Sequence, residues 1–421
     1  MPCTGSLAIA LVVVVLIANS VTADTPATGP AIVRAEASPS LSARVLSVGP
    51  FVHKVRVRQA KDGVATASPG EPAVTGGSGI VRYGGWTIVA QDDSSDFAAI
   101  ADDGRVARLR LFDPVDGRDR FHPSFGNKNR KPDIEAIVRV RASANLVRRL
   151  GGNPGHARTS PVFLLFGSGS IRGVRDRVAI VVPSKTLTTS LVRVATATGL
   201  YDRLRATPQV TGANGQLNLE AAAAIDGGRA VRLYNRGNSG AGSITASVDI
   251  PTRELLDDLS SAIDASNGES AARFGNFKVY DIGSSGGFAI SIGEAIALPK
   301  NAAFGGSGAI LIAGIAEAAT NAVDDGATSG TVIGLHLERD RRLLITPVMQ
   351  DGKPSSLKIE GLAVQSIRSV GGRGSRRIVM RVLGVVDADH PDPSEPSQRV
   401  ELEVTFVPTG TPSGKRPTDG A

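Results

Sequence analysis

The sequence predicts an all-β protein, a β-propeller of about six blades with seven as the alternative, carrying one short rim helix near residues 252–265. Three observations predict it. Short apolar segments recur from Val45 to Phe406, separated by clusters of Gly, Asn, Asp and Pro. Many of them alternate apolar and polar residues, as in Val52-His53-Lys54-Val55-Arg56-Val57 and Val400-Glu401-Leu402-Glu403-Val404-Thr405-Phe406, the period-two pattern of a strand with one covered face. A strand opening with a small or acidic residue also returns along the chain. Its copies are Gly77-Ser78-Gly79-Ile80, Asp133-Ile134-Glu135-Ala136, Asn218-Leu219-Glu220-Ala221 and Lys358-Ile359-Glu360-Gly361, with Ile292-Gly293-Glu294-Ala295 as a looser fifth.

The strands are too many for a small barrel, and their regular punctuation marks a repeat. The intervals between Glu135, Glu220, Glu294 and Glu360 exceed the roughly 40 to 45 residues of the tightest propeller blades, as four-stranded blades with long loops require. With the segment around Val52 and the strand around Val400, about six units can be drawn. A strand from one chain end pairing with one from the other would close them and remove an exposed edge.

Before this array, Leu7 to Ala18 is an unbroken apolar run, well short of the roughly 20 residues a spanning helix needs. Val21 and Ala23 are small residues at the alternate positions a signal peptidase reads, so residues 1–23 are expected to be a cleaved signal peptide, although no Lys or Arg precedes the run. Residues 24–40, rich in Pro, Ala, Ser and Thr, read as a disordered linker, 41–408 as the propeller and 409–421 as a disordered tail. The expected location is therefore outside the cytoplasm, periplasmic or secreted, with no stable transmembrane segment in the mature chain. The single cysteine, Cys3, lies in the leader, which excludes disulfides, cysteine metal clusters and thiol nucleophiles from the mature part.

The formal net charge is +7, but the basic residues are scattered and aromatic residues make up only 4% of the chain. With no finger spacing, helix-turn-helix pattern or stacking surface, nucleic acid is not an expected partner. The rim helix is predicted from Thr252 as a cap, from Leu255, Leu256, Leu259 and Ile263 on one face, and from Gly268 as a stop. Ala221 to Ile225 and Ile315 to Ala322 are alanine-rich and fit either short helical turns or covered strands.

Several separated pieces carry a family likeness. They are Gly77-Ser78-Gly79-Ile80 leading to Trp86-Thr87-Ile88-Val89 and Gln91-Asp92-Asp93; Lys131-Pro132-Asp133-Ile134-Glu135-Ala136 leading to Leu164-Leu165-Phe166-Gly167-Ser168-Gly169-Ser170; Leu217-Asn218-Leu219-Glu220-Ala221 leading to Arg236-Gly237-Asn238; and Ile359-Glu360-Gly361. Together they resemble a family of uncharacterised bacterial exported β-propeller proteins related to the esterase-like domain of some phytases. The resemblance implies a six- or seven-bladed ring and an extracytoplasmic location, and leaves hydrolysis, ligand binding and protein docking open. The chain departs from the pattern where Ser78-Gly79-Ile80 carries no carboxylate and where Ala136 and Ala221 replace the expected glycine.

In an extended strand, residues two apart face the same side, so Asp133 with Glu135, and Asn218 with Glu220, are expected to point together toward one mouth of a central channel. Glu360 joins them in the same register, and Asp92 and Asp93 follow a strand that ends at the same mouth. These are the candidate ligand or metal contacts, with Glu135, Glu220 and Glu360 the candidate metal ligands and Ca²⁺ the ion that such hard oxygens suit. Turn capping and hydrogen bonding between blades is the competing role. Arg172 and Arg175, beside the glycine-rich Gly167-Ser168-Gly169-Ser170-Ile171-Arg172-Gly173, are candidate anion contacts, with a tight turn as the plainer use of that loop. Gly283-Ser284-Ser285-Gly286-Gly287 is a turn, because the alternating segment after it is no helix. The five histidines show no metal-ligand spacing, and only His122, close to Lys128, Arg130 and Lys131, suggests a rim pocket.

The functional expectation is an exported binding module for a small anionic ligand or an extracytoplasmic protein. A metal-dependent phosphate-ester or carboxylic-ester hydrolase is the alternative.

Overall fold

The computed structural model describes residues 29–408 apart from 53–71 and the short internal segments 186, 188, 238–241, 265–268, 301–303, 305–307, 320, 322, 324–325, 339–340, 373–375, 388–391 and 393. The segments expected to be a signal peptide and a C-terminal tail, with His53, His390, Gly268 and most of the Val52–Val57 segment, lie outside the described residues.

Alternating sequence becomes antiparallel sheet throughout. The first unit is β3 (Gly77–Tyr83), β4 (Trp86–Gln91), β5 (Asp96–Ala101) and β6 (Val106–Arg110), each paired antiparallel with the next. The second is β7 (Ile134–Ser143), β8 (Thr159–Gly167), β9 (Arg177–Val182) and β10 (Leu191–Thr196). The third is β11 (Leu219–Ile225), β12 (Ala230–Asn235), β13 (Thr245–Pro251) and β14 (Gly275–Asp281). The two-residue β15 (Ser284–Ser285) leads into the fourth, formed by β16 (Phe288–Leu298), β17 (Ala309–Glu317), β18 (Thr328–Leu337) and β19 (Arg342–Gln350). After the two-residue β20 (Lys353–Pro354), the fifth contains β21 (Ile359–Val370), β22 (Arg377–Val386) and β23 (Gln398–Phe406).

The fourth strand of the fifth unit comes from the other end of the chain. β2 (Leu41–Pro50) pairs antiparallel with β23, so the expected pairing of opposite chain ends is present. Just before it, β1 (Ala31–Ala37) runs parallel along the outer edge of the third unit, Ala31 to Arg34 against β14, and then of the fourth, Ala35 to Ala37 against β19. The linker expected over 24–40 is thus corrected from Ala31 onward. Ile32-Val33 supplies a strand, and Val33 is fully buried. The N-terminal segment laces three units together, merging them into one mixed sheet beside two separate four-stranded sheets. Among the described residues the strands group into five units rather than the six drawn from the sequence, because the two chain ends share one.

First strands lie side by side: β3 touches β7, β7 touches β11, β11 touches β16, β16 touches β21, and β21 returns to β3. Apolar cores fill the spaces between neighbouring units. Phe97 and Phe163 belong to the core between the first two, Phe166 and Leu255 between the second and third, Tyr234 and Ile310 between the third and fourth, Leu335 and Met380 between the fourth and fifth, and Val89 and Val385 between the fifth and first. Burial of each strand's apolar face against the next sheet, not within one central core, therefore supplies the hydrophobic stabilisation.

The rim helix forms as predicted, α4 (Thr252–Asp264), after α1 (Ala144–Arg149), α2 (Thr198–Arg205) and α3 (Pro208–Thr211). Leu255, Leu256 and Leu259 are buried against the second and third units. Thr252 is its first residue, and its hydroxyl donates to the Gly228 carbonyl at 2.8 Å. The alanine-rich segments resolve as strands, Ala221 to Ile225 within β11 and Ile315 to Glu317 at the end of β17.

Candidate functional site

Each first strand carries a β-bulge near its opening, at the recurrence read in the sequence. The register shifts between Gly77 and Ile80, Ile134 and Ala136, Leu219 and Ala221, Ile292 and Glu294, and Ile359 and Gly361. An extra residue in one strand bends it and re-aims the side chain at that point. The extra residue is a glutamate in three units, Glu135, Glu220 and Glu360, and all three line one central cavity. In the fourth unit the bulge is Gly293, so Glu294 falls one residue out of the repeat. It is 1% exposed, and its carboxyl accepts the N–H of Ala295 at 2.7 Å and of Leu362 at 3.4 Å, with the Ile80 N–H also bonded to it. Burial pushes Glu294 well above the usual carboxylate range against these donors, and the N–H groups it accepts tie β16, β21 and β3 together.

Bulges also bring neighbouring backbones close together. A Cβ at Gly361 would meet the Ser78 carbonyl at 3.0 Å and Val385 at 2.6 Å, which explains why this unit keeps the glycine that Ala136 and Ala221 replace.

The central cavity is lined by the carboxylates Asp92, Asp133, Glu135, Glu220, Glu360 and Asp387 and by the cations Lys131, Arg175, Arg236 and Lys358. Charges of opposite sign interleave. Lys131 bonds Asp92 and lies 2.6 Å from Asp133, whose other oxygen is 2.7 Å from Arg175 and accepts the Ser168 hydroxyl. On the far side Arg236 bridges Glu220 at 3.2 Å and Glu317, and Lys358 lies 3.1 Å from Glu360, 3.7 Å from Glu317 and 3.9 Å from Asp387. Asn218 donates to Glu220 at 2.5 Å.

Protonation follows from this arrangement. Burial alone would raise Asp133, but Lys131 and Arg175 outweigh it and hold the carboxyl below its ordinary value. Asp92 is pushed up to about 6 by burial, with Lys131 opposing. Glu135 stands between the two arcs of ion pairs. Burial, then Asp133, Glu220 and Asp92, push it well above the usual range. Oxygen atoms of Asp92, Asp133 and Glu135 lie within 4.8 Å of one another, close enough to hold a metal ion. Yet the Lys131 ammonium already bonds two of the three.

The remaining candidates lie elsewhere. Asp93 pairs with Arg120 at 2.5 Å, beside the cavity and not in its lining. Arg172 is exposed and pairs with Asp202 of α2 at 2.6 Å, whereas Arg175 is buried at the cavity wall. The glycine-rich loop spends its amides on protein acceptors: Ser168 N–H on the Asp133 carbonyl, Gly169 N–H on the Arg175 carbonyl, Ser170 N–H on the Ser168 hydroxyl and Gly173 N–H on Asp176. It is a tight turn that sets the Arg175 side chain. Gly283–Gly287 is followed by β16, as expected of a turn, and His122 caps a short 3-10 turn through its ring nitrogen and Ser124.

Of the four cations in the lining, sequence reasoning singled out Arg175 and missed Lys131, Arg236 and Lys358. Lys358 stands two residues before Glu360, and Lys131 two before Asp133, so the alternation that grouped the carboxylates already placed both lysines on the same side. Arg236, Glu317 and Asp387 sit at or just beyond the ends of second strands, where no such repeat points to them.

A family model for proteins of unknown function, DUF6929, matches residues 73–404, from just before β3 into β23. The chain belongs to this family. Two solved structures are similar at low identity. A streptogramin B lyase is 6% identical with a TM-score of 0.33, covering 86% of this chain and 97% of that one. A putative exported protein from Bacteroides fragilis NCTC 9343 is 8% identical with a TM-score of 0.30, covering 89% and 99%. A search of curated proteins finds no match. Among the described residues, no helix of this DUF6929 member is long and apolar enough to cross a membrane.

Proposed function

We propose that this protein is an exported five-bladed β-propeller that works as a binding module for a small anionic ligand, and not as a metal-dependent hydrolase. The five four-stranded units, the cyclic contacts of their first strands, the core at each junction and the shared fifth unit support the ring. Five replaces six because the N-terminal strand completes the last blade instead of founding its own.

The observation that carries the functional reading is the Lys131 ammonium between Asp92 and Asp133. A catalytic Ca²⁺ would need those oxygens, and the same position is filled by a covalently tethered cation. Arg236 and Lys358 stand against Glu220 and Glu360 in the same way. Space argues in the same direction. The cavity at the acidic openings holds about 30 Å³, room for about two water molecules and too small to enclose a phosphate ester.

The alternative, a phytase-like or esterase-like hydrolase, is favoured by the convergence of Asp92, Asp133 and Glu135, whose hard oxygens suit Ca²⁺ once Lys131 is displaced. The test is to screen the purified protein against small phosphate esters and carboxylic esters with calcium and with a chelator. The binding-module reading expects no calcium-dependent turnover and no rise in melting temperature at millimolar calcium. Calcium-dependent turnover abolished by Glu135→Gln would establish the hydrolase.

A further inference from the structure

At the opposite end of the first strands the space widens into a chamber of about 1330 Å³, lined by residues of all five: Ile80 of β3, Val138 of β7, Ala222 of β11, Ile296 of β16 and Leu362 of β21. Two properties set it apart from the acidic cavity. Its wall is apolar and partly exposed, with Val81, Ala224, Ile225, Ile296 and Val364 each only half-buried. Small side chains at Ala222, Ala223 and Ala224 leave the room.

Its charge is also reversed. Seven basic residues line the chamber against three carboxylates. Two of those carboxylates, Asp249 and Glu338, are consumed by the buried Arg232. Arg139, Arg141, Lys300 and Arg341 have no carboxylate partner among the described residues. Arg139 and Arg141 are exposed, and among the described residues their side chains make hydrogen bonds only at 3.5 Å, to the Arg82 carbonyl and the Thr159 hydroxyl. Two apart on β7, they face the same side with Cα atoms roughly 7 Å apart. Unpaired cations over an apolar wall suit a ligand that has both an apolar body and a negative head, because each part gains where water is displaced.

We propose that this chamber binds a small amphipathic organic anion, its apolar body against the first strands and its carboxylate, sulfonate or phosphate on Arg139 and Arg141. Lys300 and Arg341 add to the attractive field. The proposal rests on the binding-module reading and supplies the ligand class.

The test is calorimetric titration of the purified protein with decanoate, 1-decanol, decyltrimethylammonium and acetate below their aggregation concentrations. Decanoate is expected to bind at least tenfold more tightly than each of the other three, and Arg139→Gln combined with Arg141→Gln to weaken it at least tenfold while leaving the melting temperature unchanged. A variant that closes the space, Ala224→Phe, is expected to lose decanoate as well. Equal binding of decanoate and decyltrimethylammonium, binding unaffected by the double substitution, or no decanoate binding would each overturn the proposal. None of these outcomes bears on calcium-dependent turnover, so the binding-module reading stands or falls separately.

Discussion

The Lys131 ammonium lies 2.6 Å from an Asp133 oxygen and also bonds Asp92, joining the first sheet to the second through one buried cation. Removing one partner of a buried ion pair leaves the other charges uncompensated, a loss of about 3–5 kcal/mol. Lys131→Met is therefore expected to lower stability by that order and to create a divalent-ion site from Asp92, Asp133 and Glu135. Denaturant unfolding of the variant should shift back toward the parent on adding millimolar calcium, while the parent is unmoved. Insensitivity of the variant to calcium would show that the three carboxylates do not converge as described.

Glu294 tests the junction from a different side. Both of its oxygens accept backbone N–H groups, from Ala295 and from Leu362. Glu294→Gln puts an amide NH₂ where one acceptor stood and is expected to cost about 1–3 kcal/mol. Glu294→Ala strips all acceptors and leaves a cavity, so it should cost more, of the order of 3–5 kcal/mol. The unfolding midpoints should rank parent, Gln, Ala; a neutral Gln variant would contradict the paired acceptor role.

The pH dependence has a definite sign at Asp96. Burial pushes its carboxyl from 3.8 up to about 6, against Arg108 and the Ser94 hydroxyl. A group raised on folding contributes stability that is full below pH 3.8 and is lost as pH climbs through about 6. At about 1.4 kcal/mol per unit, the loss approaches about 3 kcal/mol. In Asp96→Asn the amide oxygen can still accept from Gln91 and Ser94, which bond Asp96 at 2.9 and 3.2 Å. Its stability between pH 4 and 6 should accordingly fall less than that of the parent. Parallel stability curves for the two proteins would rule the ionisation out as the cause.

Local features were legible in the sequence where one residue repeats a geometric task. The bulge in three of the five first strands leaves the same signature of an apolar residue followed by Glu, at Ile134-Glu135, Leu219-Glu220 and Ile359-Glu360, and the amphipathic spacing of Leu255, Leu256 and Leu259 marks α4. What stayed hidden depends on contacts across the whole chain. That the two chain ends pair is expected from the need to cover an edge, but nothing near Leu41 names Phe406 as its partner or shows that both ends belong to one unit. The composition of 24–40 masked Ile32-Val33 as a strand, because its sheet partners come from β14 and β19. Arg236 and Glu317 meet only when the third and fourth units pack, and neither residue is marked as a partner of the other in sequence.

The lacing strand β1 provides the last prediction. Val33 is fully buried in the core between the third and fourth units, while its neighbour Ile32 is 62% exposed, as alternation along a strand requires. A carboxylate at position 33 loses roughly 2 kcal/mol of apolar burial and adds the cost of an unpaired buried charge. The chain can avoid that second cost by releasing β1 from β14 and β19, since each is held elsewhere by β13 and β18. Val33→Asp is therefore expected to peel β1 while the sheets persist, and Ile32→Asp to be nearly neutral. Amide hydrogen exchange reads this directly: in Val33→Asp protection should fall along Ala31–Ala37 and at the β14 edge and remain unchanged in β3 to β10. Equal effects from positions 32 and 33 would show that β1 does not bury alternate residues, and uniform loss of protection would show that the N-terminal strand holds the whole fold and not only its third and fourth units.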